Sequence, residues 1–188
     1  MSRRGFFKLL GKSLAQAAAE FTYEATKPSA SFVRPPGSCD EDRFLSLCQK
    51  CGECVKSCPT GVLDRVSQLH PLIFETPYMN FENNYCEKCY ACIDACPSGA
   101  LSRENIKRCS LVAVLKKDRC VAYQDVFCQS CYWSCPKMDR AIKLVDFSYP
   151  EFISSECTGC GRCINACPTN PKAIEMVIRV KSGEEDKR

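Results

Sequence analysis

The sequence predicts an α+β fold of two small modules, organised around cysteine side chains and preceded by a helical arm. Cysteine makes up 18 of the 188 residues, and sixteen of these fall into four copies of one spaced motif. Hydrophobic residues make up 45% of the chain. Without cysteine that fraction is about 36%, which is low for an apolar core. We therefore expect the groups that the cysteines bind to supply much of the core.

The four motifs form an internal repeat, and their first cysteines are 34 to 38 residues apart. Motifs 1, 2 and 4 read C-x2-C-x2-C-x3-C-P without exception. Motif 3, "CVAYQDVFCQSCYWSCP", has seven residues between its first two cysteines and therefore carries an insertion of five. The motif cysteines are Cys48, Cys51, Cys54 and Cys58; Cys86, Cys89, Cys92 and Cys96; Cys120, Cys128, Cys131 and Cys135; and Cys157, Cys160, Cys163 and Cys167.

This spacing indicates 4Fe-4S clusters. Three thiolates two residues apart reach three irons of one cubane, and the fourth cysteine ligates the cluster of a partner motif. We place the fourth cysteine at the start of a short helix, before a proline whose fixed φ suits the turn. Gly52, Gly159 and Gly161 let the chain approach the cluster sulfurs closely. The sixteen cysteines are thus predicted to hold four 4Fe-4S clusters in two bacterial-type, two-cluster ferredoxin-like modules.

Two other uses of cysteine fit the pattern less well. A disulfide framework requires neither four copies of one spacing nor a proline after every fourth cysteine. Structural zinc usually takes two C-x2-C pairs separated by a longer loop. Cys39 and Cys109 have no place in the repeat, and we expect free thiols there rather than substitute ligands. His70, the only histidine, is expected at the surface rather than as a ligand.

Short apolar runs between the motifs predict strands, for example "PLIFE" at residues 71–75 and "LVAVL" at residues 111–115. No run of 18 apolar residues occurs, so the sequence predicts no transmembrane helix. The predicted organisation is a basic arm over residues 1–38, a four-cluster core over residues 39–180 and a polar tail over residues 181–188.

The formal net charge of +4 lies entirely in the arm, which holds six Lys and Arg residues and two Glu residues. Sixteen thiolates and four oxidised cubane cores would change the charge of the whole protein from +4 to about −4. An acidic body suits docking to a redox partner protein. Because the arm bases form no dense patch, we expect no nucleic-acid partner.

The arm begins with "SRRGFFK" at residues 2–8, which matches the twin-arginine export pattern. Lys12 and Gln16 interrupt the apolar segment that an export signal needs next. Drawn as a helix, the arm is amphipathic and carries five apolar residues on one side: Phe6, Leu10, Leu14, Ala18 and Phe21. We therefore expect a cytoplasmic protein that keeps its arm for contact with a partner or a membrane surface. Export by the twin-arginine route is the alternative.

From Phe6 to about Val180 the chain resembles the NapF branch of the NapF/NapG/MauM ferredoxin-type proteins, found with periplasmic nitrate reductases. The resemblance rests on "RPPG" (34–37), followed by an acidic pair and "FLSLCQKCGECVKSCP". It continues through "FENNYCEKCYACIDACP", the "AYQ" inserted in motif 3, and "CTGCGRCINACP".

The resemblance implies a cytoplasmic accessory protein that acts on a molybdoenzyme catalytic subunit, or its precursor, before export. It would supply electrons or help the precursor's cluster to load. The alternative is a permanent electron-transfer subunit between a quinol-oxidising module and a terminal reductase. No acid–base pair, nucleophile triad or phosphate loop is visible, so neither role is enzymatic. Sequential pairing of the motifs is the simplest arrangement. Similarity to four-cluster subunits of molybdoenzymes favours nested pairing instead, motif 1 with 4 and motif 2 with 3.

Overall fold

Short helices and two-stranded sheets alternate along the chain. The computed structural model describes residues 32–38 and 40–180, apart from the side chains of residues 108, 109 and 180. The arm helix predicted from Phe6 to Phe21, the thiol of Cys39 and the polar tail lie outside these residues. None of the described helices is long and apolar enough to cross a membrane.

The helices are one or two turns long. They are α1 (Glu41–Leu47), α2 (Glu53–Lys56), α3 (Ala91–Asp94), α4 (Arg103–Arg108), α5 (Ser130–Trp133) and α6 (Arg162–Ala166), with 3₁₀ turns at Lys117–Arg119 and Val121–Gln124. The strands are β1 (Leu63–Arg65), β2 (Pro77–Met79), β3 (Cys109–Leu115), β4 (Ile142–Val145), β5 (Tyr149–Phe152) and β6 (Ile174–Val180). The described part of the chain is therefore α+β, as predicted.

The second module, residues 109–180, is enclosed by its first and last strands. β3 and β6 pair in antiparallel fashion from Cys109 opposite Val180 to Leu115 opposite Ile174. Between them lie motif 3 with α5, the antiparallel hairpin of β4 and β5, and motif 4 with α6. The apolar run at 111–115 lies in β3, which confirms that strand prediction.

The first module, residues 40–102, repeats the central part of this plan. Motif 1 with α2 precedes the antiparallel hairpin of β1 and β2, and motif 2 with α3 follows it. The run at 71–75 is not a strand, contrary to prediction, but a series of turns in the loop between β1 and β2. Glu75 has a left-handed φ of 62° and Leu72 is exposed, so this run neither extends nor buries one face.

The compact unit begins at Val33, which is earlier than the boundary predicted after residue 38. Arg34 explains the difference, because its side chain is 1% exposed and fully engaged. Its guanidinium donates to the Glu41 carboxylate at 2.6 Å and to the Thr76 hydroxyl and Pro77 carbonyl at 2.9 Å. Arg34, one of the six basic residues counted for the arm, thus belongs to a partly buried ion pair of the core.

Candidate metal centres

Each regular motif wraps its first three cysteines with left-handed backbone. The residues on either side of the second cysteine all have positive φ: Lys50 and Gly52, Lys88 and Tyr90, and Gly159 and Gly161. Such conformations turn successive backbone N–H groups towards one point, and the resulting concavities bind anions, including iron–sulfur centres. Glycine is required at those positive-φ positions where a side chain would also clash with a neighbouring atom. A Cβ on Gly159 would lie 2.4 Å from the Leu111 carbonyl oxygen, so this glycine is needed for close packing against β3. Its approach to cluster sulfurs stays a prediction.

The short helices carry the third cysteine, not the fourth as predicted. Cys54 lies in α2, and Cys58 follows the end of that helix. The same holds for motifs 2, 3 and 4, where the helices α3, α5 and α6 precede the fourth cysteine. Four residues of helix advance the chain by about 6 Å. The helix therefore separates the fourth thiol from the first three and directs it to another group.

Motif 3 accommodates its insertion in a closed loop. The inserted residues form the 3₁₀ turn Val121–Gln124, which ends at Asp125 with a φ of 60°. The backbone N–H of Val126 donates to the Val121 carbonyl at 3.1 Å and closes the loop. Ala122 is buried, and the Tyr123 hydroxyl donates to the Pro150 carbonyl of β5. Cys120 is thereby brought back beside Cys128 and Cys131.

The sixteen thiols converge in four groups, each made of three cysteines of one motif and the fourth cysteine of its neighbour. We name them in spatial order. Group A is Cys48, Cys51, Cys54 and Cys96; group B is Cys86, Cys89, Cys92 and Cys58; group C is Cys157, Cys160, Cys163 and Cys135; and group D is Cys120, Cys128, Cys131 and Cys167. All sixteen are unbridged thiols.

The groups are neighbours in the order A, B, C, D. The thiol of Cys54 in group A raises the pKa of Cys92 in group B, and the thiol of Cys131 in group D raises the pKa of Cys163 in group C. Groups B and C lie in different modules but meet through the backbone. There the N–H of Cys86 donates to the carbonyl of Cys160 at 2.7 Å. The order A, B, C, D thus places the group of motif 3 at one end.

Side chains of both modules support the contact between B and C. The Arg162 guanidinium lies 3.9 Å from the centroid of the Tyr85 ring. The Asn165 amide donates to the Glu82 carbonyl at 3.2 Å. Gly161 packs so closely on Phe81 that an added Cβ would lie 2.1 Å from the ring.

Comparison with known proteins divides the chain into the same two modules. A 4Fe-4S dicluster domain matches residues 47–100, and another 4Fe-4S dicluster domain matches residues 113–176. The ferredoxin-type protein NapG of Escherichia coli K12 is 32% identical over 93% of this chain and 83% of its own length. The methylamine utilisation ferredoxin-type protein MauM of Methylorubrum extorquens is 34% identical, with 87% and 80% covered. NapF of Escherichia coli K12 is 34% identical, with 80% and 89% covered. The chain belongs to the NapF/NapG/MauM ferredoxin-type family.

Membership of this family makes the chain a ferredoxin-type iron–sulfur electron-transfer protein rather than an enzyme, and confirms the predicted resemblance. The expectation of nested pairing is wrong. Each dicluster domain contains two consecutive motifs, and each thiol group draws its fourth cysteine from the neighbouring motif of the same module. Nested pairing would require ligands from opposite modules in every group. The only backbone link described between groups of different modules is the one between B and C.

The thiol geometry suits the clusters of this ferredoxin-type family better than single ions. No three His, Cys, Asp or Glu side chains within the described residues are close enough to hold one metal ion. A tetrahedral zinc site would need sulfurs about 3.8 Å apart, whereas a cubane holds its thiolates farther from one another. Sulfur donors around a nest of N–H groups are the donor set that iron–sulfur clusters use.

The third cysteine of each motif is buried, and in group D Cys120 and Cys167 are buried as well. Burial, together with the neighbouring thiols of Cys48 and Cys96, raises the pKa of Cys54 to about 11. Burial raises the pKa of Cys92 to about 12 and that of Cys131 to about 12, again with neighbouring thiols adding to the effect. The pKa of Cys163 rises for the same reasons. Ionised thiolates within one group repel one another, so bound iron would have to offset that repulsion and its binding would release protons.

The sequence reasoning missed a hydroxyl group that supports the fourth cysteine. The residue two places after that cysteine contacts its Sγ, with Thr60 at 3.6 Å, Ser98 at 3.6 Å and Thr169 at 3.2 Å. Burial acts to raise the pKa of Cys58, but the Thr60 hydroxyl and nearby backbone N–H groups outweigh it and lower the value. The shared position in the repeat was the signal available in the sequence.

Motif 3 has Lys137 where the other motifs have a hydroxyl residue. Burial raises the pKa of Cys135, and the backbone N–H and positive charge of Lys137 oppose that rise. Group C therefore receives a full positive charge where the other groups receive a hydroxyl dipole.

Cys39, Cys109 and His70 were not predicted as ligands. Cys109 begins β3, but its side chain is outside the described part, so the prediction of a free thiol stays a prediction, as it does for Cys39. His70 is exposed in the loop between β1 and β2, as predicted.

Proposed function

We propose that the chain holds four 4Fe-4S clusters, one in each thiol group, with the sixteen motif cysteines as ligands. The observation that supports this is the convergence of the thiols in four groups, each completed by the neighbouring motif. Anaerobic reconstitution should give about sixteen irons per chain, since each cubane holds four. About twelve irons, with full occupancy of the other sites by Mössbauer spectroscopy, would rule out a cluster in group D.

The biological role proposed here is accessory. The protein assists cytoplasmic maturation of a molybdoenzyme catalytic subunit, such as that of periplasmic nitrate reductase, by supplying electrons or helping its cluster to load. Similarity to NapF supports this role. Affinity purification from the cytoplasmic fraction should recover the precursor of the catalytic subunit, before its cofactor is inserted. Recovery of the mature enzyme alone would contradict it.

A permanent electron-transfer subunit is the second candidate, because groups A to D follow one another from module to module. NapG and MauM are as similar to the chain as NapF is, so sequence identity does not favour a NapF-like role over this one. Its test is quinol-dependent reductase activity in membranes. In a strain that lacks this protein but contains mature reductase, electron delivery from quinol to the reductase should be lost only if this role is correct.

The proposed location is the cytoplasm, with the arm attached and in contact with a partner or a membrane surface. The interruption of the apolar segment by Lys12 and Gln16 supports retention. Phe6→Ser with Leu10→Ser should weaken that contact and leave the iron content unchanged. Cell fractionation tests the location. A shortened periplasmic form that disappears when Arg3 and Arg4 become lysine would establish export instead.

A further inference from the structure

The end of the molecule at group D carries an exposed apolar surface. Phe127, Trp133 and Phe147 are 78%, 64% and 87% exposed, and Val126 is 53% exposed. Phe127, Val126 and Trp133 line one shallow concavity, together with Cys128 of group D and the proline that follows Cys167. We call these four apolar residues the aromatic patch.

Gln129 holds the parts of the aromatic patch together. Its side-chain amide donates to the Phe147 carbonyl at 2.6 Å, and its carbonyl oxygen accepts from the Trp133 indole at 3.0 Å. The patch therefore joins the insertion of motif 3, α5 and the turn between β4 and β5. Exposed apolar side chains on three segments that one amide links form a contact surface rather than scattered apolar residues.

Acidic residues surround the patch. Asp125 precedes Val126, Asp146 precedes Phe147, and Asp139 accepts from the Tyr132 hydroxyl beside Trp133 at 2.7 Å. None of the three forms an ion pair with a Lys or Arg among residues 32–38 and 40–180. Two arginines of this module are already engaged. Arg140 pairs with Glu156 at 2.9 Å, and Arg119 pairs with Glu175 at 2.8 Å.

We propose that the aromatic patch is the docking surface for a redox protein whose cofactor lies beneath an apolar surface with a basic rim. The unpaired aspartates are complementary to such a rim, and close apolar contact would bring the partner's cofactor towards group D. An anionic membrane would be repelled by the same aspartates. A second copy docked patch to patch would place like charges opposite each other.

The other end of the row of groups has a different surface. In motif 1, Cys51 is exposed beside polar neighbours such as Lys50 and Glu53. The molecule thus presents a polar face at group A and an apolar face with an acidic rim at group D. This asymmetry fits two chemically different partners, one at each end.

The test uses the full-length holo-protein and a purified c-type cytochrome with lysines around its exposed haem edge. Phe127→Ser with Trp133→Ser should raise the dissociation constant by at least about tenfold. The matched control is Leu69→Ser with Leu72→Ser, since these residues are equally exposed but lie in the loop between β1 and β2. That control should bind like the wild type.

A second variant tests the rim without changing the apolar contact. Asp125→Asn with Asp146→Asn should weaken binding and reduce its dependence on salt, and asparagine tolerates the left-handed backbone at both positions. Equal binding by all variants, or no saturable binding by the wild type, would overturn the proposal. So would a self-association or a binding to anionic phosphatidylserine vesicles that only the patch variant loses.

The inference rests on the electron-transfer role and not on the maturation role. Iron content and electron paramagnetic resonance (EPR) spectra are measured on the same samples. A wild-type protein that contains only three clusters would contradict the proposed cluster count. If the missing cluster is that of group D, the reason for docking there is also removed. An intact cluster set with unaltered binding in the patch variant would overturn the docking surface alone.

Discussion

At the scale of single residues, the fourth cysteine of each motif shows how one position adjusts an otherwise repeated site. Thr60, Ser98 and Thr169 place a hydroxyl against the sulfur, and Lys137 takes their place beside Cys135. The potential of an iron–sulfur cluster depends on nearby charge and on hydrogen bonds to its sulfurs. Groups that share one ligand pattern can therefore differ in potential.

Lys137→Met should make the reduction potential of the cluster in group C more negative. Removing a positive charge disfavours the reduced cluster, which carries one more negative charge. For a partly exposed charge beside a cluster ligand the shift is on the order of 50 mV. The measurement is a redox titration followed by EPR. Lys143→Met is the matched control, because this exposed lysine lies on β4 opposite Glu151. An equal shift in both variants would show that only overall charge matters.

The Arg34–Glu41 pair is the second residue-scale feature, because a buried charge must keep its partner. Glu41→Gln leaves the guanidinium without a counter-charge and should lower the urea midpoint for loss of cluster absorbance by on the order of 1 M. Asp42→Asn removes a charge from the same first turn of α1 and controls for the helix dipole. A loss of stability that is the same for both would assign it to the dipole.

At the scale of elements, the sequence predicted which cysteines form groups better than the path of the chain between them. The repeat identified all the cysteines that the structure brings into groups, because ligand spacing is constrained by the cluster. The strand at 71–75 was predicted wrongly because an apolar run of five residues has no period that separates strand from turn. The helix was attached to the wrong cysteine because spacing alone does not show where the chain turns.

Gly161 is where an element of one module meets the other. It has a φ of +78° and contacts Phe81, whereas Gly99 has a φ of +69° and no atom beyond its chain neighbours within 4 Å of where a Cβ would lie. Alanine at either position costs about 1–2 kcal/mol for the left-handed backbone. Gly161→Ala adds about 1–3 kcal/mol of overpacking. Gly161→Ala should therefore lower the urea midpoint more than Gly99→Ala does.

The double variant Gly161→Ala with Phe81→Leu checks the cause of that loss. A smaller side chain at residue 81 should recover part of the stability lost by Gly161→Ala, giving a favourable coupling in a double-mutant cycle. Additive losses would mean that the ring does not limit the space at Gly161.

At the scale of the whole molecule, pairing of the motifs could not be read from the sequence. Sequential and nested pairing use the same sixteen cysteines at the same spacing, so the choice depends on which strands meet. The long pairing of β3 with β6 joins the two sides of motifs 3 and 4 and makes the second module self-contained. The buried Arg34 was equally unpredictable, because its partner Thr76 is 42 residues away.

Sequential pairing predicts that each module contains all the ligands of its own clusters. A fragment of residues 103–188 should therefore bind about eight irons after anaerobic reconstitution, as two 4Fe-4S clusters. When both are reduced, their EPR signals should show the magnetic coupling of neighbouring clusters. The matched control is the same fragment with Cys167→Ser. It should lose a ligand of group D only and retain the signal of group C, because Cys167 follows Cys163 in sequence but belongs to the other group. A fragment that binds fewer than about four irons would mean that its clusters need ligands from residues 1–102, as nested pairing requires.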